Sequence, residues 1–147
     1  MGYSIGTQTA AMIAGGDTGS ITNQVEQWNG SSWTETTEIN TARFLSAGSG
    51  SQTSSIIAGG RQSSNRYTNT ELWDGTSWTE VTNQPEMQTE SGSAGSQTAG
   101  LIFGGGNNPG LTAKTKSYDG TNWTEVNALN AAKNRSMGYS IGTQTAA

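Results

Sequence analysis

The chain repeats one pattern three times and then begins a fourth copy. A Gly-Ser/Thr-Gln-Thr motif begins at Gly6, Gly50, Gly95 and Gly142, which gives a period of 44 to 47 residues. A Gly-Gly pair and a tryptophan also recur once in each full repeat. Because repeats of this length cannot bury an apolar face alone, they must stack on copies of themselves. We place the repeats, within one structural segment, at about 1–46, 47–92 and 93–136.

The chain ends as it begins. Residues 137–147 are identical to residues 1–11, MGYSIGTQTAA, whereas the copies between them have diverged. An engineered repeat would look like this, and so would a fragment cut from a longer tandem array, such as a phage or bacterial repeat protein. The residues leave both origins open. In either case 137–147 corresponds to an extra first strand.

Composition excludes several classes of function. Hydrophobic residues make up 31% of the chain and charged residues 12%, and the regular tryptophans and turn signals argue against disorder. The chain has no Cys and no His, so we expect no disulfide, no metal site and no cofactor. A net charge of -4 disfavours nucleic-acid binding, and no apolar run reaches the ~18 residues of a membrane span. We expect a soluble protein, extracellular or virion-associated if natural.

Each repeat predicts four short strands and no helix, because apolar residues lack a sustained 3.6-residue period and glycines punctuate the segments. In the first repeat, strand A should lie near 2–5 and strand B near 9–14, ending at the Gly pair. The three B segments contain AAMIA, SSIIA and AGLIF, which predicts burial on both faces.

A hairpin should join strands C and D in every repeat. Strand C ends at an aromatic residue, which Asn-Gly or Asp-Gly follows; this dipeptide tolerates the positive φ of a tight turn. Strand D begins at the recurring tryptophan. We expect Trp33, Trp78 and Trp123 to be largely buried between neighbouring repeats.

These residues resemble the kelch repeat, in which an apolar strand ends in Gly-Gly and two aromatic residues follow at fixed spacing. The resemblance implies a β-propeller of the kelch or galactose-oxidase type, with strand A of each four-stranded blade lining the channel and strand D outermost. The matching positions are Gly15, Gly16, Trp28, Trp33, Gly59, Gly60, Trp73, Trp78, Gly104, Gly105, Tyr118 and Trp123.

Three blades cannot close a propeller, which typically has four to eight. We therefore expect a homo-oligomer in which two chains form a six-bladed ring, in preference to three chains forming nine. The duplicated strand suggests a strand swap, in which 137–147 completes the first blade of the next chain. Which copy fills the innermost strand stays open.

The loops that vary between repeats mark a candidate ligand face. The B-C and D-A loops differ in sequence, whereas the A-B and C-D turns barely change, and variable loops on a constant scaffold commonly carry binding. A charge bias that only aids solubility is the alternative. The candidate residues are Arg43, Arg61, Arg66, Tyr67, Asn107, Lys114, Lys133 and Arg135.

The repetition itself argues against catalysis, because an active site needs a polar constellation that occurs once. We expect no enzyme activity and no catalytic, metal or cofactor residue. The first functional reading is a self-assembling propeller scaffold whose partner is a copy of itself. The alternative is a protein- or carbohydrate-binding, lectin-like module that uses the variable loops.

Overall fold

A computed structural model describes residues 2–107, 109–133 and 143–145, and the described chain is all-β. Its strands form three four-stranded antiparallel sheets and one two-stranded ladder. The all-β prediction and the assignment of four strands to each repeat are confirmed. No helix in the described ranges is long and apolar enough to cross a membrane.

Each repeat builds one sheet with its strands in sequential order. Sheet 1 contains β1 (Tyr3–Gly6), β2 (Ala11–Asp17), β3 (Ile21–Trp28) and β4 (Trp33–Thr36). Sheet 2 contains β5 (Ala47–Ser51), β6 (Ser54–Ala58), β9 (Thr70–Trp73) and β10 (Trp78–Val81). Sheet 3 contains β11 (Gly92–Gly95), β12 (Gly100–Phe103), β13 (Thr115–Tyr118) and β14 (Trp123–Val126). A hairpin of β7 (Arg61–Gln62) and β8 (Asn65–Arg66) lies within the B-C loop of sheet 2.

The C-D hairpins use their Asn or Asp differently from the prediction. Gly75 has a positive φ of 99°, but the preceding Asp74 does not, and the other two hairpins follow the same rule. Instead, Asp74 Oδ1 accepts hydrogen bonds from the backbone N–H groups of Thr76 and Ser77, both at 2.8 Å. These bonds lower the pKa of Asp74, because they favour the ionised carboxylate. The loop thus spans four residues between the paired Trp73 and Trp78.

The Gly pairs are required by the backbone. Gly15 and Gly16 have φ values of 64° and 126°, and the pairs in the other two repeats are also positive. A Cβ at Gly15 would lie 2.5 Å from the carbonyl oxygen of Arg43, and Gly16 N donates to the same oxygen. The pair therefore lets strand B meet the chain that leaves its own sheet. Strand B ends before the pair in sheets 2 and 3, but β2 continues through it with a bulge.

The apolar core lies between neighbouring sheets. One cluster joins Met12 and Val25 of sheet 1 to Ile57, Trp73 and Trp78 of sheet 2. A smaller cluster joins Ala47 and Ala58 of sheet 2 to Ile102 of sheet 3, with Trp123 packed against it. The first strands β1, β5 and β11 contact one another in sequence. Each sheet is therefore stabilised by the sheet beside it rather than by a core of its own.

Candidate functional site

The junction between sheets 1 and 2 contains a buried carboxylate. Glu71 on β9 is fully buried, and Arg43, also fully buried, forms an ion pair with its Oε1. Asn40 donates to Oε2 through its backbone N at 2.7 Å and its Nδ2 at 3.0 Å, and Thr41 N donates to Oε1 at 3.3 Å. These donors all come from the segment that leaves sheet 1. They form a receptor for a carboxylate presented by the next sheet.

Arg43 is consequently not part of an exposed ligand face, and its assignment to that face was wrong. Its Nη1 donates to the carbonyl oxygens of Gly59 at 3.3 Å and Asn69 at 3.0 Å, both belonging to the second repeat. Burial lowers the pKa of Arg43, and the neighbouring Glu71 carboxylate opposes that shift. The residue joins two sheets, which a charge count along the sequence cannot distinguish from a surface position.

An equivalent segment of chain leaves each of the three sheets. Ile39 N donates to Asn23 O at 3.0 Å, Gln84 N to Thr68 O at 2.9 Å, and Leu129 N to Ala113 O at 2.8 Å. Four residues later, the carbonyl oxygens of Arg43, Gln88 and Lys133 each accept a hydrogen bond from the second glycine of their own Gly pair. The equivalent exit segments are therefore 39–43, 84–88 and 129–133.

The junction between sheets 2 and 3 has the opposite polarity. Lys116 occupies the place on β13 that Glu71 occupies on β9, as their cross-strand registers show. Its Nζ donates to Gln84 Oε1 at 3.2 Å and to Glu86 O at 2.8 Å. Burial lowers the pKa of Lys116 to about 8. Lys116 thus contacts hydrogen-bond acceptors, whereas Glu71 at the first junction contacts hydrogen-bond donors.

The repeated glutamines also bridge neighbouring sheets. Gln52 Nε2 donates to the carbonyl oxygens of Ala11 at 3.1 Å and Trp28 at 2.9 Å, both in sheet 1. Gln97 makes the equivalent contacts to sheet 2. Gln144, in the terminal copy, donates to Gly100 O at 3.4 Å and Tyr118 O at 3.1 Å of sheet 3. Each glutamine thus caps the sheet before its own, and Gln144 takes the position that a following sheet would fill.

The face of sheet 1 that points away from sheet 2 is open. Trp78 is 6% exposed and its Nε1 donates to Thr37 O at 3.1 Å, whereas the equivalent Trp33 is 49% exposed. Ile13 is 37% exposed, whereas the equivalent Ile57 is fully buried. Glu26, the counterpart of Glu71, is exposed. Within the single chain, the prediction of a buried tryptophan is therefore confirmed for Trp78 and holds in part for the half-buried Trp123, whereas Trp33 is exposed and its burial in an assembly stays a prediction.

The burial of strand B follows the same rule. The central β6 is buried along most of its length, as predicted, whereas β2 exposes Ile13 and β12 is only partly buried. The difference arises because sheet 2 has a neighbour on both sides among the described residues, while sheets 1 and 3 have a neighbour on one side.

The exit segment of sheet 3 borders an open pocket. Phe103, Leu129, Asn130, Ala131 and Lys133 line a cavity of about 330 Å³. Asn130, Ala131 and Lys133 are exposed. They are equivalent to Asn40, Thr41 and Arg43, which hold Glu71 at the first junction. Sheet 3 therefore has an exposed segment equivalent to the one that binds Glu71 at the first junction, and sheet 1 has an exposed carboxylate, Glu26.

The remaining predicted ligand-face residues do not form one cluster. Lys114 lies between Glu86 and Glu125 and forms an ion pair with each. Arg61 and Arg66 are cross-strand partners in the β7–β8 hairpin, and Arg61 lies 4.9 Å above the ring of Phe44. The others have separate surroundings: Tyr67 donates to Gln62, Asn107 binds Gly110 through its backbone, Lys133 lines the pocket, and Arg135 lies outside the described residues. Within the described ranges, no three Asp or Glu side chains are grouped to hold a metal ion.

Comparison with known proteins identifies the fold. The chain is similar to the solved structure of YjhT, a kelch-like β-propeller, with a TM-score of 0.71 and 15% sequence identity. The match covers 86% of this chain and 45% of YjhT, so the chain spans about half the length of that structure. No family model matches the sequence, and no curated protein matches it. The likeness supports a propeller-type fold.

Replacing Glu71 with Ala should destabilise the protein strongly. The substitution leaves Arg43 buried without its carboxylate, and breaking a buried pair in this way costs about 3–5 kcal/mol. Urea unfolding at a fixed protein concentration measures the change. Glu35→Ala on the exposed surface of β4 is the control and should change the free energy of unfolding by less than ~0.5 kcal/mol. Equal effects of the two substitutions would contradict the role of Glu71.

Raising the pH from 7 to 9.5 should stabilise the protein through Lys116. The folded-state pKa of about 8 lies below the ordinary value of 10.5, so the unfolded chain binds more protons in this interval and stability rises with pH. The lowered pKa of Glu86 and the raised pKa of Lys114 keep both side chains charged in the folded protein over this interval, so neither opposes the effect of Lys116. The thermal midpoint should rise by roughly 2–5 °C.

Lys116→Met provides the matched control for this pH dependence, since it keeps the buried stem and removes the titrating amine. Its thermal midpoint should be flatter between pH 7 and 9.5 than that of the parent chain. The range stops at 9.5 because burial raises the pKa of Tyr3, which destabilises the fold at higher pH. Parallel curves for parent and variant would show that Lys116 is not the source.

Proposed function

We propose that the chain is a non-enzymatic, self-assembling segment of a kelch-type β-propeller, in which two copies close a six-bladed ring. The observation that carries the proposal is the 49% exposure of Trp33, at a position where Trp78 is 6% exposed under the preceding sheet. Large apolar side chains left open at one end of a stack favour a further copy of the same stack. In the ring, sheet 3 of each chain covers sheet 1 of the other, and Gln8 of the incoming sheet displaces Gln144 from the carbonyl oxygens of sheet 3.

The size of the solved neighbour supports two copies. The chain matches 45% of YjhT, so a propeller of that length requires about twice the number of sheets found here. Three sheets from each of two chains supply that number, and six blades lie within the usual range of four to eight. A trimer of nine blades exceeds that range.

The polar groups support a structural function rather than catalysis. Glu71, Arg43 and Lys116 are buried at junctions between sheets and bind groups of the neighbouring sheet. They are occupied in holding the sheets together, so the proposed activity of this chain is assembly itself.

A second candidate function rests on the β7–β8 hairpin. Arg61 and Arg66 lie opposite each other, and Arg61 Nε and Arg66 Nη1 are buried atoms without a hydrogen-bond partner. Two guanidinium groups side by side suit an acceptor-rich ligand, such as an acidic peptide or a charged glycan. This reading corresponds to a recognition module on the variable loops and is compatible with ring formation.

The parent chain should have the solution mass of two chains, measured by light scattering after size-exclusion chromatography. Trp33→Asp should yield a mass near one chain, because it places a charge in the apolar contact of the closing interface. Trp33→Phe keeps an apolar ring and should remain dimeric. A monomeric parent, or a dimeric Trp33→Asp variant, would contradict the proposed closure.

Deleting residues 137–147 should leave the dimer intact. Gln144 caps sheet 3 within its own chain, and the exposed Gln8 of the other chain belongs to an identical segment that fits the same carbonyl oxygens. Light scattering of the truncated chain measures the result. Monomers or aggregates would mean instead that the terminal copy acts as the clasp of the ring.

A further inference from the structure

The two outer sheets, sheet 1 and sheet 3, carry complementary groups. Asn130, Ala131 and Lys133 repeat the positions of Asn40, Thr41 and Arg43, as the shared backbone hydrogen bonds of the exit segments establish. Asn is retained at the first position, and a cation is retained at the last. All three are exposed and line the open pocket of sheet 3.

Glu26 is the matching group on sheet 1. It pairs with Ile13 on β2 in the same way that Glu71 pairs with Ile57 on β6. Glu71 is buried within a shell of donors, whereas Glu26 is exposed beside the open Trp33 face. Glu26 on sheet 1 is thus an exposed counterpart of Glu71, the carboxylate that the exit segment 39–43 binds at the first junction.

We infer that the pocket formed by Asn130, Ala131 and Lys133 binds the Glu26 carboxylate of a second copy of this chain. The inference rests on the proposed ring and specifies its closing contact. By analogy with Glu71, Asn130 donates through its backbone N and Nδ2, Ala131 donates through its backbone N, and Lys133 supplies the positive charge. The carbonyl oxygens of Gly15 and Gln24 correspond to those of Gly59 and Asn69, and they accept the remaining donors of Lys133.

The charges also select this contact over others. Lys116, the counterpart of Glu26 on sheet 3, is buried and already bound to Gln84 and Glu86, so it is not available to the pocket of another copy. Glu71 of sheet 2 is already held by Arg43. The only unoccupied glutamate of this series among the described residues is Glu26. Assembly is consequently head to tail, with sheet 3 meeting sheet 1.

Two charge reversals and their mixture test the contact. Glu26→Lys and Lys133→Glu each place like charges together at both closing interfaces of a dimer, and each variant alone should dissociate with a dissociation constant raised about a hundredfold or more. A mixture of the two variants contains one parental Lys133–Glu26 interface and one reversed pair. The mixture should therefore form a dimer with one chain of each kind, detected by native mass spectrometry.

Thr79→Lys, on the exposed outer strand of the central sheet 2, is the control for surface charge and should stay dimeric. Far-UV circular dichroism establishes that each variant is folded. If a variant does not fold, Glu26→Gln replaces Glu26→Lys and should weaken the parental dimer. A monomeric parent overturns both the ring and this contact. A dimeric parent whose reversed variants remain dimers, or whose monomeric variants fail to rescue each other, overturns only the Glu26 contact.

Discussion

Burial of one sheet's face by the next sheet is the constraint on which the rest of the structure depends. Both apolar clusters join residues of different sheets, and the tryptophan of β10 is covered through the segment that leaves sheet 1. A four-stranded sheet of this composition has little core of its own. In the proposed ring, the open Trp33 face and the open pocket beside Lys133 are the two halves of one junction.

Polar groups add specificity to this apolar stacking. A bare apolar face accepts any sheet, but the first junction places a carboxylate among donors, and the second places an ammonium among carbonyl and amide oxygens. Buried charges that lack their partners are costly, so exchanging the sheets at these junctions is disfavoured. The three repeats look alike in sequence pattern, yet each junction is distinct in charge.

Much of the fold could be predicted from the sequence, because strand position follows from glycines, aromatic residues and the two-residue turn signals. The exposure of Trp33 could not, since the motif around it is the same as that around Trp78 and carries no record of which repeat lacks a neighbour. The burial of Arg43 depends on Glu71, 28 residues away in another sheet. The β7–β8 hairpin was missed because RQSSNRYT contains no apolar alternation. The equivalence of Asn130 and Asn40 rests on backbone hydrogen bonds of the exit segments, which leave no pattern in the sequence.

Iodide quenching of Trp33 in the assembled protein tests the central claim most directly, that a second copy covers the face of sheet 1. The emission quenched in the parent chain is compared with that in Trp33→Phe, at a concentration where the solution mass is that of the assembly. An equal amount of quenched emission in the two proteins is the result expected if Trp33 is shielded as Trp78 is. A quenched component present in the parent and lost in Trp33→Phe would show that the face remains open, and would contradict the account.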